Sequence, residues 1–382
     1  MKRTLINMAV LGSILGASMA HAGGWDRSGQ DTSIILKEGN LLEISSASVS
    51  PKVTGTYTGT SVSTGDGVPN YNLTSLAFRS DVSDDIAFAV IQDTPFGAEV
   101  DWVDGTRLLS FRDINAKVES SAITALVSYD VENLTIYGGL KSQSFKAQAA
   151  NPFVGLLSDP ADTTSIIGDG TGYSITSEAA DQSIGYVLGG AIEKPEIGMK
   201  VSLTYHAKVK HDVSVVETVG GNVSDAEILS TTTPDSFNLD FQTGVAENTL
   251  VYGSVRHVKW TQLELRPDQY ALFTGGLSLK TFKTDTTSYS LGVAHKLSDQ
   301  WLASASYGTE SPEGGNGSPL GPTDGYSKMG LGLTYIGQQA TVTVGVQQIN
   351  MGDTLAVVSE TLTASMADNT AIVTAVKVGY KF

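Results

Sequence analysis

The chain has 382 residues, no cysteine, and 40 acidic against 24 basic residues, which gives a formal net charge of −16. The absence of cysteine excludes disulfides and thiolate metal sites, and the acidic balance argues against a nucleic-acid partner. The fold must therefore be held together by backbone pairing and packing.

Residues 1–22 have the pattern of a secretory signal peptide. The start Met1-Lys2-Arg3 is basic, residues 5–15 are mainly apolar, and Ala20-His21-Ala22 fits an A-x-A cleavage site. The apolar stretch is too short to cross a bilayer as a helix. We expect export and cleavage after Ala22, which leaves a mature chain with a net charge of −18 because Lys2 and Arg3 are lost.

Residues 23–40 show no sustained periodicity and are too polar to form a strand. They are predicted to form a unit separate from residues 41–382. Trp25 stands three residues into the mature chain, which is an unusual place for tryptophan in a flexible tail. We expect its ring to lie in the interior of the protein and to contact a ligand cavity.

Beyond residue 40 the sequence consists of short segments with a two-residue period. In the last one, alternate positions from Ile372 to Phe382 carry mainly apolar side chains, and the positions between them carry small and cationic ones. Such a period indicates strands with one face suited to lipid. About fourteen segments meet this test, near 41–57, 74–81, 84–93, 118–129, 133–145, 183–193, 198–209, 237–245, 249–257, 287–295, 300–307, 329–336, 340–347 and 371–382.

The connections between these segments alternate between short and long. Those after even-numbered strands are turns, such as Val82-Ser83 and Asp130-Val131-Glu132, and those after odd-numbered strands are long loops. This alternation predicts an all-β fold, a transmembrane antiparallel barrel of about 14 strands in the bacterial outer membrane, with both ends in the periplasm. A soluble sandwich or propeller is the alternative, but neither needs its long loops on one side.

Several cations are candidates for binding a ligand's head group. His206 and Lys208 are predicted to share the lumen face of one strand, with Lys200 lower on the same face. In a lumen lined by small and apolar groups they could hold a carboxylate by charge-assisted hydrogen bonds. Alternatively, they pair with the acids of the barrel or contact water, because inward charges are common in such lumens.

Two other places suggest handling of an apolar ligand. Phe153, Leu156 and Leu157 lie in the third long loop, where an exposed apolar patch would capture a hydrophobic molecule first. They could equally pack the loops together. Pro95, Phe96 and Gly97 end the third strand, and proline and glycine favour a kink that opens the wall, with a plain strand end as the alternative.

Three stretches of the sequence resemble the FadL family of outer-membrane transporters for long-chain fatty acids and aromatic hydrocarbons. They are Asn72–Phe78 with Ile86–Gly97, Tyr205–His211, and Pro234–Leu263. The resemblance implies a fourteen-stranded barrel, an N-terminal hatch at residues 23–40, and a kinked third strand through which ligand leaves sideways. The family's Asn-Pro-Ala box is missing from that segment, since the only Asn-Pro is Asn151-Pro152 in a loop.

Together these features predict a passive, monomeric outer-membrane transporter for fatty acids or other hydrophobic small molecules. The C-terminal Phe382 resembles the signal read by the barrel assembly machinery, which with membrane lipid would be a partner. A general diffusion porin, or a surface receptor or adhesin, is the alternative on the same barrel. The sequence gives no reason to expect a cofactor, a metal or catalysis, although a barrel lipase using serines and His206 remains a weaker enzymatic alternative.

Overall fold

Fourteen long antiparallel strands close into a barrel in the computed structural model, which describes residues 25–102, 114–151, 172–357 and 362–382. This confirms the predicted fold class. The wall strands are β1 Leu41–Lys52, β2 Tyr71–Asp81, β3 Ile86–Asp93, β4 Asn115–Val131, β5 Leu134–Asn151, β6 Asp181–Lys194, β7 Met199–His206, β8 Ser236–Ala246, β9 Thr249–Val258, β10 Thr286–Lys296, β11 Trp301–Glu310, β12 Tyr326–Ile336, β13 Ala340–Met351 and β14 Thr370–Lys381.

Shorter elements lie between the wall strands. Gly97–Asp101 resumes β3, and four strands extend the wall at the long-loop end: Tyr173–Ser177, Val209–Val219, Asn222–Val223 and Glu227–Thr233. A separate four-stranded sheet contains Thr54–Tyr57, Ser63–Asp66, Thr354–Val357 and Thr363–Met366, and a two-stranded sheet pairs Glu264–Leu265 with Lys280–Thr281. The helical elements are α1 Asp268–Phe273 and the 3-10 turns Ser33–Leu36, Pro195–Ile197 and Trp260–Gln262.

The first and last wall strands close the barrel over their full length. β1 pairs with β14 from Leu41 opposite Lys381 to Lys52 opposite Thr370, and β1 also pairs with β2. This closure matters because an unpaired strand edge in lipid leaves backbone groups without hydrogen bonds. Turns of a few residues join β2 to β3, β4 to β5 and every later even strand to its successor, as the connection lengths predicted.

Two of the predicted strands are broken in the structure. The segment predicted at 41–57 divides at Val53, after which Thr54–Tyr57 joins the separate four-stranded sheet. The segment predicted at 198–209 ends at His206, and Val209–Val219 forms a new strand. Both breaks lie at the long-loop end, where the chain beyond the break pairs with loop elements instead of with the neighbouring wall strands.

The outer face of the wall is apolar, and the inner face is mostly polar. Large side chains that point outward and are exposed include Leu140, Ile184, Leu188, Leu291, Met329 and Leu331. Inward positions on the same strands carry buried polar groups such as Lys141, Gln143 and Lys328. An apolar belt around a polar interior is the pattern of a barrel that spans a membrane. Among the helices that the structure describes, none has the length and apolar character needed to span a membrane.

The C-terminal aromatic gives a testable prediction about assembly. Phe382 is 57% exposed at the end of β14. Its ring stacks on that of Phe78, with 5.9 Å between the two ring centres. We expect Phe382→Asp to reduce the amount of barrel in the outer membrane without reducing export, because a carboxylate disfavours insertion of the closing strand. Heat-modifiability on gels of outer-membrane fractions measures the assembled amount.

Val82→Asp is the matched control. Val82 is equally apolar and 64% exposed, but it lies in the turn after β2. Its variant should assemble at the normal level. Equal losses in the two variants would show that any new surface charge at this end hinders assembly, and normal levels of both would remove the role assigned to Phe382.

Candidate functional site

The N-terminal segment, residues 25–40, contacts the inner face of the barrel wall along its whole length. At the long-loop end its backbone pairs with the stretch between Asp93 and Gly97: the amides of Arg27 and Ser28 donate to the carbonyls of Pro95 and Thr94 at 2.9 and 3.0 Å. The Gly97 amide donates to the Trp25 carbonyl at 2.7 Å. The segment therefore supplies backbone partners where the third strand is interrupted.

A buried ion pair fixes this end of the N-terminal segment to the opposite wall. The Arg256 guanidinium on β9 binds both carboxylate oxygens of Asp26, and both residues are less than 5% exposed. Arg256 also donates to Asn238 at 2.6 Å and to Gln30 at 3.2 Å. Removing one partner of such a pair leaves an uncompensated buried charge, which is strongly destabilising.

The other end of the N-terminal segment is held by cations of the wall. Lys200 donates to the Leu36 carbonyl at 2.6 Å, and Arg79 donates to the Gly39 carbonyl at 2.6 Å. Lys37 of the segment forms a salt bridge with Glu43 on β1 at 2.5 Å. Burial and the nearby Lys377 ammonium lower the pKa of Lys37 to about 8. This end is attached by charge, whereas the long-loop end is attached by backbone pairing and one ion pair.

The predicted kink at Pro95, Phe96 and Gly97 is an interruption of the third strand rather than its end. Asp93 lies opposite Ala122 on β4, and Gly97 lies opposite Glu119. The chain therefore advances by four residues on the third strand where β4 advances by three. One extra residue is the geometry of a β-bulge. Pro95 cannot donate to a ladder, and the Ser120 hydroxyl both donates to and accepts from the Phe96 backbone.

A gap in the wall lies beside this interruption. β2 pairs with β3 only from Leu76 to Asp81, so within the described residues Tyr71–Ser75 pair with β1 alone. Gly97–Asp101, on the far side of the gap, form their ladder with β4. The Arg27 guanidinium lies 3.9 Å from the centre of the Tyr71 ring. The N-terminal segment thus covers the gap from inside, since its backbone binds one side and its guanidinium contacts the other.

A cavity with both apolar and charged lining residues lies directly above the N-terminal segment at the long-loop end. A cavity of about 310 Å³ is lined in part by Trp25, Leu279, Phe282 and Leu320. It shares Trp25 and Leu279 with a smaller, mainly apolar pocket whose lining is dominated by alanine, valine and leucine. Trp25 is 8% exposed, and its ring contacts Phe282 edge-on at 5.7 Å. Trp25 therefore lies in the interior of the protein and lines both cavities.

A loop lysine stands at the boundary between these two cavities. Lys280 lines both, and its ammonium lies 4.3 Å from the centre of the Phe282 ring. Burial lowers the pKa of Lys280, while Glu313 acts in the opposite direction. Sequence reasoning missed this residue because it lies in a long loop that has no periodicity.

The structure separates the cations that the sequence placed on one face. His206 is buried on the inner face at the end of β7, and neither of its ring nitrogens has a hydrogen-bond partner among the described residues. Lys208 is exposed, because the alternation shifts by one residue at Ala207 and turns it to the outer face. The prediction that Lys208 lines the lumen is wrong. Lys200 points inward but binds Glu193 and the segment.

A lysine that was not among the predicted site residues is buried on the inner face of the wall. Lys141 on β5 is 2% exposed, and its ammonium has no hydrogen-bond partner within the described part of the chain. It lies opposite Gly185 on β6, which has no side chain to separate it from the neighbouring strand. Two residues along β6, Val187 lies opposite His206. The two-residue period of 133–145 places Lys141 inward and could have identified it.

The remaining predicted residues are placed as follows. Phe153, Leu156 and Leu157 lie outside the residues that the structure describes. Among those it does describe, no group of three or more His, Asp and Glu residues is arranged to hold a metal ion.

The fold and the interior define a class, which is a transmembrane β-barrel whose lumen is occupied by its own N-terminal segment. The family described as outer membrane protein transport protein (OMPP1/FadL/TodX) matches residues 36–382. The chain belongs to this family, and it is an outer-membrane protein. Comparison with curated protein sequences gives no significant match.

Solved structures with the same fold include three transport proteins of low sequence identity. A Pseudomonas aeruginosa FadL homologue has 13% identity and a TM-score of 0.74, covering 96% of this chain and 97% of its own. The Pseudomonas putida toluene transporter TodX has 14% identity and a TM-score of 0.63. The Ralstonia pickettii toluene transporter TbuX has 13% identity and a TM-score of 0.60. Each comparison covers 96% of this chain and 98% of the relative.

The buried ion pair yields a prediction about the attachment of the N-terminal segment. We expect Asp26→Ala to weaken that attachment by about 3 kcal/mol or more, which corresponds to about 100-fold faster amide exchange. The amides of Arg27 and Ser28 report the change, since they donate to Pro95 and Thr94. Asp31→Ala, at an exposed position of the same segment, is the control. Unchanged exchange in the Asp26 variant would contradict the role of the pair.

Proposed function

We propose that the chain is a passive channel that takes up hydrophobic small molecules across the outer membrane. The observation that carries this proposal is the apolar pocket against Trp25, which adjoins a larger cavity beside a gap in the barrel wall. Relatives named as toluene transporters and as a FadL homologue support the same class of ligand. Membership of a transport family also argues against an enzymatic role.

The ligand first binds in the cavity at the long-loop end, which faces the outside of the cell. A volume of about 310 Å³ suits a small hydrophobic molecule or part of a longer chain. Leu279, Phe282 and Leu320 supply apolar contacts. Transfer from water into such a site is worth about 0.8 kcal/mol per buried CH₂ group. This gain concentrates the ligand above Trp25.

The N-terminal segment acts as the hatch of the channel. Trp25 forms part of the floor of the cavity, and residues below it continue along the inner wall to Asn40. The anchoring of both ends favours a hatch over a loose tail. A hatched lumen also supports selective uptake over a general diffusion porin, which needs an open aqueous route.

The wall gap provides the exit. When Trp25 to Ser28 separate from the interrupted strand, the space between Tyr71–Ser75 and Gly97–Asp101 connects the cavity with the membrane. Pro95, with no amide hydrogen, keeps the interruption from closing as a regular ladder. A hydrophobic molecule leaving sideways moves into lipid and avoids the polar lower lumen.

Anionic ligands have a further contact available in the lumen. The Lys141 ammonium and the His206 imidazole are buried and have no hydrogen-bond partners among the described residues; they lie on inward positions of β5 and β7, on either side of β6. A carboxylate placed between them would satisfy both groups through charge-assisted hydrogen bonds. This pair replaces the His206 and Lys208 pair expected from the sequence.

Deletion of residues 23–40, behind a retained signal peptide, tests the hatch. The barrel should still assemble, because the wall ladders do not depend on this segment for closure. Single-channel conductance to small ions should rise, since the lumen loses the chain that fills it. A deletion variant that folds normally and conducts like the full chain would contradict the hatch assignment.

Replacing the two lumen groups tests the head-group contact. Lys141→Gln with His206→Gln should weaken binding of a fatty acid about ten-fold or more, because a charge-assisted hydrogen bond is worth about 1.5 to 3 kcal/mol. Uptake of a neutral hydrocarbon of equal length should remain close to normal.

Lys208→Gln is the matched control for this pair, because Lys208 lies on the same segment but is exposed on the outer face. It should bind the acid normally. If the double variant lost acid and hydrocarbon equally, the substitutions would have damaged the pocket. If it lost neither, the head group would bind elsewhere.

A further inference from the structure

Three cavities follow one side of the lumen from the long-loop end to the short-turn end. The upper one, of about 310 Å³, lies against β1 and β2. A middle cavity of about 80 Å³ lies against β14, β1, β2 and β3, and a lower one of about 1010 Å³ opens among the periplasmic turns. Arg27 lines both the upper and the middle cavity, and Glu43 and Lys377 line both the middle and the lower one. The cavities are therefore neighbours in series.

The lower two cavities both have charged groups in their linings, although the middle one has more apolar than polar surface. The middle one contains the carboxylates of Asp31, Glu43 and Asp93 and the hydroxyls of Ser45 and Ser75. The lower one is rimmed by both signs of charge, including Arg79, Lys200, Asp81, Asp130 and Glu193. Such surfaces hold water, and they penalise an apolar molecule that would have to displace it. The lower cavity is therefore unsuited to the hydrophobic cargo.

Charged side chains close the series at two constrictions. In the upper one, the Arg27 guanidinium rests on the Tyr71 ring at 3.9 Å. In the lower one, which we call the charge cluster, Glu43 lies between two ammonium groups, Lys37 at 2.5 Å and Lys377 at 3.0 Å. The cluster joins the N-terminal segment to β1 and β14. Its three side chains are almost fully buried.

We propose that these cavities form a second passage through the barrel, for small hydrated ions, which is gated by the charge cluster. Rings of charged side chains at a narrow point set the ion selectivity of a pore. One acid between two lysines leaves the cluster with a single net positive charge, so selectivity depends on which of the three charges is removed. The passage shares its upper cavity with the proposed uptake route and separates from that route at the middle cavity, below Arg27. Ion flow is measured without any hydrophobic ligand, so this inference does not rest on the proposed uptake function.

Reversal potentials of the full-length protein in planar bilayers, under a potassium chloride gradient, test the proposal. Glu43→Gln leaves two lysines without their acid, so the reversal potential should shift toward that of chloride. Lys37→Gln with Lys377→Gln leaves the acid alone, so the shift should be toward potassium. Both variants should also conduct more than the wild type, because the salt bridges that hold the constriction closed are lost.

Ser45→Ala is the control, since it changes the lining of the middle cavity without changing a charge. Its reversal potential should match that of the wild type. Heat-modifiability on gels shows whether each variant is folded. Because the two variants should shift the reversal potential in opposite directions, the proposal can still be tested if one of them does not fold. Unchanged selectivity in a folded variant, or shifts in the same direction for both, would overturn the proposal.

Uptake of a neutral hydrocarbon into cells carrying the same variants separates the two routes. The charge-cluster variants should take it up at the wild-type rate, because its path does not cross the cluster. A fall in uptake that accompanies the change in selectivity would show one shared route and contradict the second passage. If cells carrying the wild-type protein took up no hydrocarbon, the proposed function alone would be contradicted, because ion selectivity is measured without any hydrophobic ligand.

Discussion

Backbone hydrogen bonding in a water-free membrane is the constraint on which this structure depends. Each amide and carbonyl in the bilayer needs a partner, and the closed ladder from β1 to β14 provides one around most of the wall. Among the described residues, exceptions are Tyr71–Ser75, which pair with β1 alone, and the interruption of the third strand at residues 94–96. At the interruption, the missing partners come from the N-terminal segment, through Trp25, Arg27 and Ser28.

This arrangement makes one short segment responsible for three features of the interior. Because its backbone is fixed at the interruption, its side chains have defined positions: Trp25 lines the cavity at the long-loop end, Asp26 binds Arg256, and Arg27 covers the wall gap. The far end is held by cations from the wall instead. Movement of the upper end alone would expose the gap and leave the lower end in place. A ligand that contacts Trp25 is thereby coupled to the strand interruption through the neighbouring residues Arg27 and Ser28.

Periodicity allowed most of the wall to be predicted, and it failed where the period is broken. A two-residue pattern and alternating connections define fourteen strands because side chains must alternate between lipid and lumen. At Ala207 the alternation shifts, and one residue of slip moves Lys208 to the opposite face. The inward position of Lys141 follows from the same pattern and was available in the sequence. The pairing of Asp26 with Arg256 could not be predicted from the sequence, because it joins residues 230 positions apart and depends on where the N-terminal segment enters the barrel.

The location of a bound hydrocarbon tests the central claim most directly. A crystal of the full-length protein with a neutral alkane carrying one bromine atom would show the label by anomalous scattering. The account predicts a peak in the cavity lined by Trp25, Leu279, Phe282 and Leu320, above the N-terminal segment. A label found on the outer apolar belt with none in this cavity, or in the polar lower lumen, would contradict it.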